Sequence, residues 1–193
     1  MSKDVTMITL SKEDFRPAQI PDNCEYLNHV SVFKDHQDAV EQMVAAVAKV
    51  ETPFYFFCDD DDPAPKKVPT PKNGKGILYG DMFSQYGQKV IRRPASEWTD
   101  VKHVKNPLFI HKAVCRTDYT MLLSTVLPSN DVWFEYLYYF FLADLFGAEY
   151  NPDFQYIWQK RNSGMHITLA PKTSGTGKWI RDNRQRVRSL LNL

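Results

Sequence analysis

Four consecutive aspartates, Asp59 to Asp62, are the residues of this chain best suited to chemistry. Carboxylates so close repel one another, and a divalent cation or a hydrogen-bonding ligand is the ordinary means of keeping several ionised. Their hard oxygens favour Mg²⁺ or Mn²⁺. Most acidic runs are solvated turns. This one, however, directly follows Phe54-Tyr55-Phe56-Phe57-Cys58, a short aromatic run behind Pro53. Such a run predicts a strand buried on both faces, as in a parallel sheet. Open α/β sheets bind ligands at the carboxyl ends of their strands, so a rigid strand end makes the run a candidate site.

The elements that must hold that strand are legible around it. Val5 to Leu10 and Tyr26 to Phe33 read as two further strands. Between them and the acidic run, Val40, Met43, Val44, Val47 and Val50 recur at helical spacing, with Asp38 and Glu41 as a capping box and Pro53 as the stop. Strand, strand, helix, strand is an α/β beginning. Residues 63–76 change character: prolines alternate with Lys66, Lys67, Lys72 and Lys75, predicting an exposed, extended loop. Shorter segments follow from Ile77, with strands expected at Lys89 to Arg92 and Leu108 to Arg116. A buried helix is expected over Asp131 to Phe146, capped by Asn130 or Asp131 and ended by Gly147. Its stripe Trp133, Phe134, Leu137, Phe140 and Phe141 belongs in the core, leaving Tyr136 or Tyr139 as the aromatic that reaches a ligand.

Composition bounds the function. The chain has 193 residues, 43% hydrophobic and 24% charged, which excludes disordered and fibrous classes and leaves room for one domain. Cys24, Cys58 and Cys115 are widely spaced and odd in number, which argues against a disulfide framework or a zinc knot and for reduced, buried thiols. The first ten residues lack a secretory h-region, and the most apolar run, Trp133 to Phe146, is shorter than a membrane span and broken by Glu135 and Asp144, so a cytoplasmic protein is expected. The formal charge of +1 divides unevenly. From Lys172 to Leu193 there are six basic residues and one acid, a basic helix starting near Trp179 that suits a diphosphate, an anionic lipid surface or a nucleic acid, or else docks on the core through Ile180, Val187, Leu190 and Leu191. The stretch Gly175 to Trp179 is not a phosphate loop, because Lys172 stands where the first glycine is needed and Trp179 where Ser or Thr is needed.

Ala45 to Asp62, AAVAKVETPFYFFCDDDD, resembles the segment of GT-A glycosyltransferases, especially inverting family 2, in which a helix, a turn and an apolar strand lead into a DXD motif. LPSNDVWFEYLYYFFLADLFGAEYNPDFQYIWQKRNSGMH, Leu127 to His166, is similar to that family's second half: an acidic residue at a helix head, a helix ending in Gly, an aromatic strand, then Ser and His. The resemblance implies a single GT-A-like, Rossmann-related α/β domain over residues 1–171, with a central, mostly parallel sheet flanked by helices and the basic helix 172–193 added. It implies a sugar moved from a nucleotide diphosphate to an acceptor hydroxyl. Asp59 matches the first Asp of DXD, on the nucleotide side, and Asp61 the second, which holds the metal. The register within the run leaves Asp60 and Asp62 as candidates too. Asp131 matches the catalytic base, with a plain N-cap as its other reading, and His166 matches a late metal ligand. Asp59 comes too early for the family pattern, as if one βα unit were missing, and Asp35 is the candidate substitute donor contact. The acceptor expected from the family is a glycan hydroxyl. The basic helix and Lys-rich loop keep a modified nucleic-acid base as an alternative, and the missing unit keeps a non-catalytic interaction module as another.

Overall fold

A computed structural model of the chain describes residues 3–86, 88–93, 112–127, 134–159 and 173–193. Its elements are β1 (Val5–Ser11), β2 (Cys24–Val30), α1 (His36–Val47), β3 (Phe54–Phe57), β4 (Ile77–Tyr86), β5 (Lys89–Arg93), β6 (Ala113–Arg116), α2 (Thr117–Ser124), α3 (Phe134–Phe146), β7 (Ala148–Gln159) and α4 (Thr173–Leu190). Seven strands form one mixed sheet in an α/β domain. β1 pairs in parallel with β2 and β3, and β4 pairs in parallel with β7. β6 lies antiparallel between β3 and β4, and β5 forms an antiparallel hairpin with the far end of β4. Five strands therefore run one way, with β5 and β6 reversed.

Strand alternation sorts the side chains onto two faces. Ile8, Tyr55, Phe57, Ile77, Tyr79, Ala113 and Cys115 meet residues of all four helices, among them Val40, Leu123, Leu137 and Val187. Val5, Met7, Phe56, Cys58, Leu78, Val114, Phe154 and Tyr156 fill the opposite face, where Val68, Ile20 and Ala64 from connecting segments close the core. Helices thus cover one face and loops the other. The 63–76 segment is extended but, unlike the expectation, not simply exposed. Pro65, Val68 and Pro71 are buried at every third residue, the period of a polyproline strand, and Asn23 Nδ2 donates to the Val68 carbonyl at 2.8 Å. Its lysines Lys66, Lys67, Lys72 and Lys75 face outward.

Other boundaries shift for local reasons. α1 starts two residues ahead of the expected cap, because Asp35 is the N-cap and accepts from Asp38 N at 2.8 Å, while Asp38 accepts from Lys34 N. From Ile77 one ten-residue strand, β4, runs first; the strand expected at Lys89 to Arg92 is β5, and of the one expected at Leu108 to Arg116 the described part holds β6. α2, unforeseen, follows β6 without a break, although Thr117 and Asp118 are good helix-start residues. Gly147, at φ 79°, ends α3 as expected. Ile180 and Val187 of α4 dock in the helix-side core with Leu191 at its margin, whereas Leu190 is exposed. All three cysteines are free and buried.

One crossing in the sheet matters for the site. The β4–β7 register jumps between Tyr79, opposite Tyr150, and Asp81, opposite Gln155, so that residues 151–154 stand against Gly80 alone. A Cβ on Gly80 would lie 1.8 Å from the Phe154 carbonyl oxygen and 2.7 Å from that of Asn151. Glycine is required there by close approach of backbone, and the bulge aims Tyr156 into the loop-covered face.

Candidate functional site at the carboxyl end of β3

Beyond β3 the chain continues its pairing for one residue, Cys58 N donating to the Ile8 carbonyl at 2.9 Å, and then turns. Asp62 N returns to the Asp59 carbonyl at 3.1 Å, closing a β-turn with Asp59 and Asp62 at its ends and Asp60 and Asp61 at its corner. Asp60 is exposed, Asp59 and Asp61 are half-buried, and Asp62 is buried. The strand end is fixed from the helix side by Phe57, whose ring meets Phe134 edge-on at 5.5 Å, at the head of α3.

Each end of the turn is held by the protein. Lys112, the residue before β6, places Nζ 2.6 Å from Asp59 Oδ1 and 3.3 Å from Glu135 Oε1 in the first turn of α3. Its side chain is 8% exposed and its ammonium lies 5.5 Å from the centre of the Tyr156 ring. Burial works against the charge, but Asp59 and Glu135 outweigh it and hold the ammonium above its ordinary pKa. At the other end, Tyr156 Oη donates to Asp62 Oδ2 at 2.7 Å and accepts from Asp59 N at 3.1 Å, while Gln159 N donates to Asp62 Oδ1 at 2.7 Å. Burial, and then the Asp59 charge, push the Asp62 carboxyl up to about 7 in spite of these donors. Burial pushes the neighbouring Cys58 thiol up to about 12, which keeps it an unreactive SH.

The structure thus joins β3, β6, α3 and β7 in one network around the acidic run. Of the expected site residues it brings together Asp59, Asp60, Asp61 and Asp62, the last buried with its carboxylate bound by Tyr156 and Gln159. Asp35 stands apart, capping α1 beside β2, two strands from β3. Asp131 and His166 lie outside the described residues, as does Trp133, and the Tyr136 side chain is likewise not described. Tyr139 does not reach a ligand surface. It is 1% exposed, among the core residues under α3. Lys112, Glu135, Tyr156 and Gln159 were missed in the sequence. The available signals were a lysine interrupting the apolar run Leu108 to Cys115 and the alternation Phe154, Tyr156, Trp158.

Lys112 also changes the case for a cation. The repulsion that called for a metal at Asp59 is offset by an internal ammonium. Among the described residues no three His, Cys, Asp or Glu side chains converge to hold a metal. Mg²⁺ commonly needs only one or two carboxylates plus substrate phosphates, and Asp60 and Asp61 at the corner of the turn provide that donor set.

No family model matches the chain, and no curated protein matches it. No helix among the described residues is long and apolar enough to cross a membrane.

Proposed function

We propose that the chain is a metal-dependent glycosyltransferase that takes a nucleotide-diphosphate sugar at the carboxyl end of β3. The observation that carries this reading is the aspartate turn, placed on a central strand of an α/β sheet and held at both ends, by Lys112 and by Tyr156 with Gln159. In this reading Asp61 and Asp60 hold Mg²⁺ or Mn²⁺, with His166 as a further ligand. The ion would neutralise the charge growing on the diphosphate as it leaves. Asp59 orients the nucleotide side, its carboxylate fixed by Lys112. Asp131, three residues before α3, takes the proton of the acceptor hydroxyl as the sugar is attacked from the opposite face.

The acceptor in this reading is a glycan or other hydroxyl. A second acceptor, a modified base in nucleic acid, is favoured by the outward face of α4, where Lys178, Arg181 and Arg186 are exposed. Duplex DNA bound by that face should lose affinity steeply with salt, and affinity insensitive to salt rejects it.

The main test is calorimetric titration with UDP, GDP, CDP and TDP, with and without Mn²⁺, on the wild type and Asp61→Ala. Metal-dependent binding of one nucleotide, lost in Asp61→Ala, is expected. No metal-dependent binding of any of them would reject the enzyme reading and leave a non-catalytic interaction module.

A further inference from the structure

We propose that the outer edge of β2 is a self-association surface, on which a second copy of this chain pairs antiparallel about Leu27 and joins two sheets into one. The edge lies two strands from β3, and its use does not depend on the nucleotide-sugar reading.

Among the described residues β2 pairs with β1 alone and ends the sheet on that side. Ser31 N donates to the Ser11 carbonyl at 2.8 Å, and the direction of bonding alternates along a strand. The N–H and C=O groups of Tyr26, Asn28 and Val30 therefore point away from β1. Open edges are normally blunted by lysine, proline or a bulge. β5 carries Lys89, Arg92 and Arg93, and β7 carries Pro152 and the bulge against Gly80. β2, with the sequence CEYLNHV and an unbroken register to β1, has none of these. Val30 and Val32 at its end are 53% and 66% exposed.

The charges along the edge select a second copy as the occupant. Glu25, Leu27 and His29 share the helix-side face by strand alternation. Glu25 is exposed and has no bonding partner among the described residues. His29 is buried, and its Nδ1 accepts from the ammonium of exposed Lys49 at 3.2 Å while Nε2 donates to Gln42 Oε1 at 2.9 Å. Lys49 thus brings a cation over residue 29. Antiparallel strands related by a two-fold axis at Leu27 set residue 25 of each copy opposite residue 29 of the other. Each Glu25 then meets the partner's Lys49, twice per dimer, and Tyr26 and Asn28 face each other as hydrogen-bonded pairs across the edge.

A seven-residue edge is a small interface, so a reversible dimer that fills as protein concentration rises is expected. Sedimentation velocity at low salt, over concentrations up to millimolar, measures it on the wild type, on Glu25→Lys, on Lys49→Glu, and on an equal mixture of the two variants. In either variant alone both pairs become like-charged, and dimerisation should weaken about tenfold or more. The mixture should recover the wild-type constant, because each variant supplies the charge that the other lacks at both contacts. A loss of folding in one variant cannot produce that recovery. Amide exchange in the wild type, which needs no variant, should slow at Tyr26 and Asn28 as concentration rises. A wild type that stays monomeric throughout overturns the proposal. So do variants that dimerise as the wild type does, a mixture no better than its components, or exchange at Tyr26 and Asn28 that ignores concentration.

Discussion

The two ends of α3 carry opposite solutions to one problem. At its head a buried cation, Lys112, is shared by the carboxylates Asp59 and Glu135. Near its tail a buried anion, Asp144, is shared by the guanidinium groups of Arg184 and Arg188 on α4. The ion group at the head ties α3 to three strands and the acidic turn, whereas the one at the tail ties Asp144 to α4. At the tail the cations also offset a carboxylate placed against the helix dipole, and Arg184 lies about half in water. At the head the cation lies inside the protein, between groups that have no other need to meet. The first arrangement is a site with its charges fixed; the second is a strut.

The largest break in that symmetry should come from Gly80→Ala, which touches neither α3 nor α4. A methyl group 1.8 Å from a backbone carbonyl cannot be absorbed by a side-chain rotation, so β7 must move and carry Tyr156 and Gln159 away from Asp62. We expect a loss above ~3 kcal/mol, beyond ordinary overpacking, measured by urea unfolding. A variant within ~1 kcal/mol of the wild type would mean that the bulge yields easily. Next comes Lys112→Met. It removes the buried ammonium that Asp59 and Glu135 share, and the loss should be about 3 kcal/mol, the low end for a broken buried pair, because Asp59 retains water on one side. Removing the Glu135 charge as well, with Lys112→Met and Glu135→Gln together, should recover much of it, a coupling read from a double-mutant cycle.

These two residues also show where sequence reading stops. The β3 strand and its aspartates were legible because a run of five apolar residues can be buried on both faces without any knowledge of its neighbours. α1, β1 and β2 followed from the same local patterns, whereas the reversal of β5 and β6 within the sheet did not. Lys112 was not legible, since its role depends on β6 running antiparallel beside β3, which brings the start of one strand to the end of the other. Gly80 and Tyr156 are non-local in the same way: the bulge exists only as a mismatch between β4 and a strand some seventy residues later. In the 63–76 segment the lysines mask the three-residue period of Pro65, Val68 and Pro71 that anchors it.

Acid–base behaviour offers a gentler probe of the head. Asp62, raised to about 7 in the folded chain, keeps its proton where an unfolded chain, with a carboxyl near ~3.9, has released it. The folded state then binds more protons than the unfolded one, so this group's contribution is fully present at low pH and is lost as pH rises through the folded value. Its part of the stability should fall between pH ~4 and about 7 by at most ~1.4 kcal/mol per unit, and level off above. Urea midpoints across that range should show this slope in the wild type and in Arg184→Ala, and should lose it in Asp62→Asn. Tyr156→Phe removes a donor that favours the ionised carboxylate, and should carry the fall to higher pH.

The smallest effect belongs to the tail of α3. Arg184 reaches Asp144 through two guanidinium nitrogens, with Nε 2.9 Å from Oδ2, yet about half of its side chain is in water and Arg188 remains beside the same carboxylate. Arg184→Ala therefore removes one of two cations from an anion that keeps the other, and the cost should be ~0.5 kcal/mol, shrinking further in high salt. Arg184→Ala should leave the nucleotide and Mn²⁺ titrations unchanged, because Arg184 and Asp144 make no contact with the aspartate turn. A loss as large as that of Lys112→Met would instead mean that the tail is as tightly built as the head, and that burial of the shared group, whatever its sign, sets the strength of both.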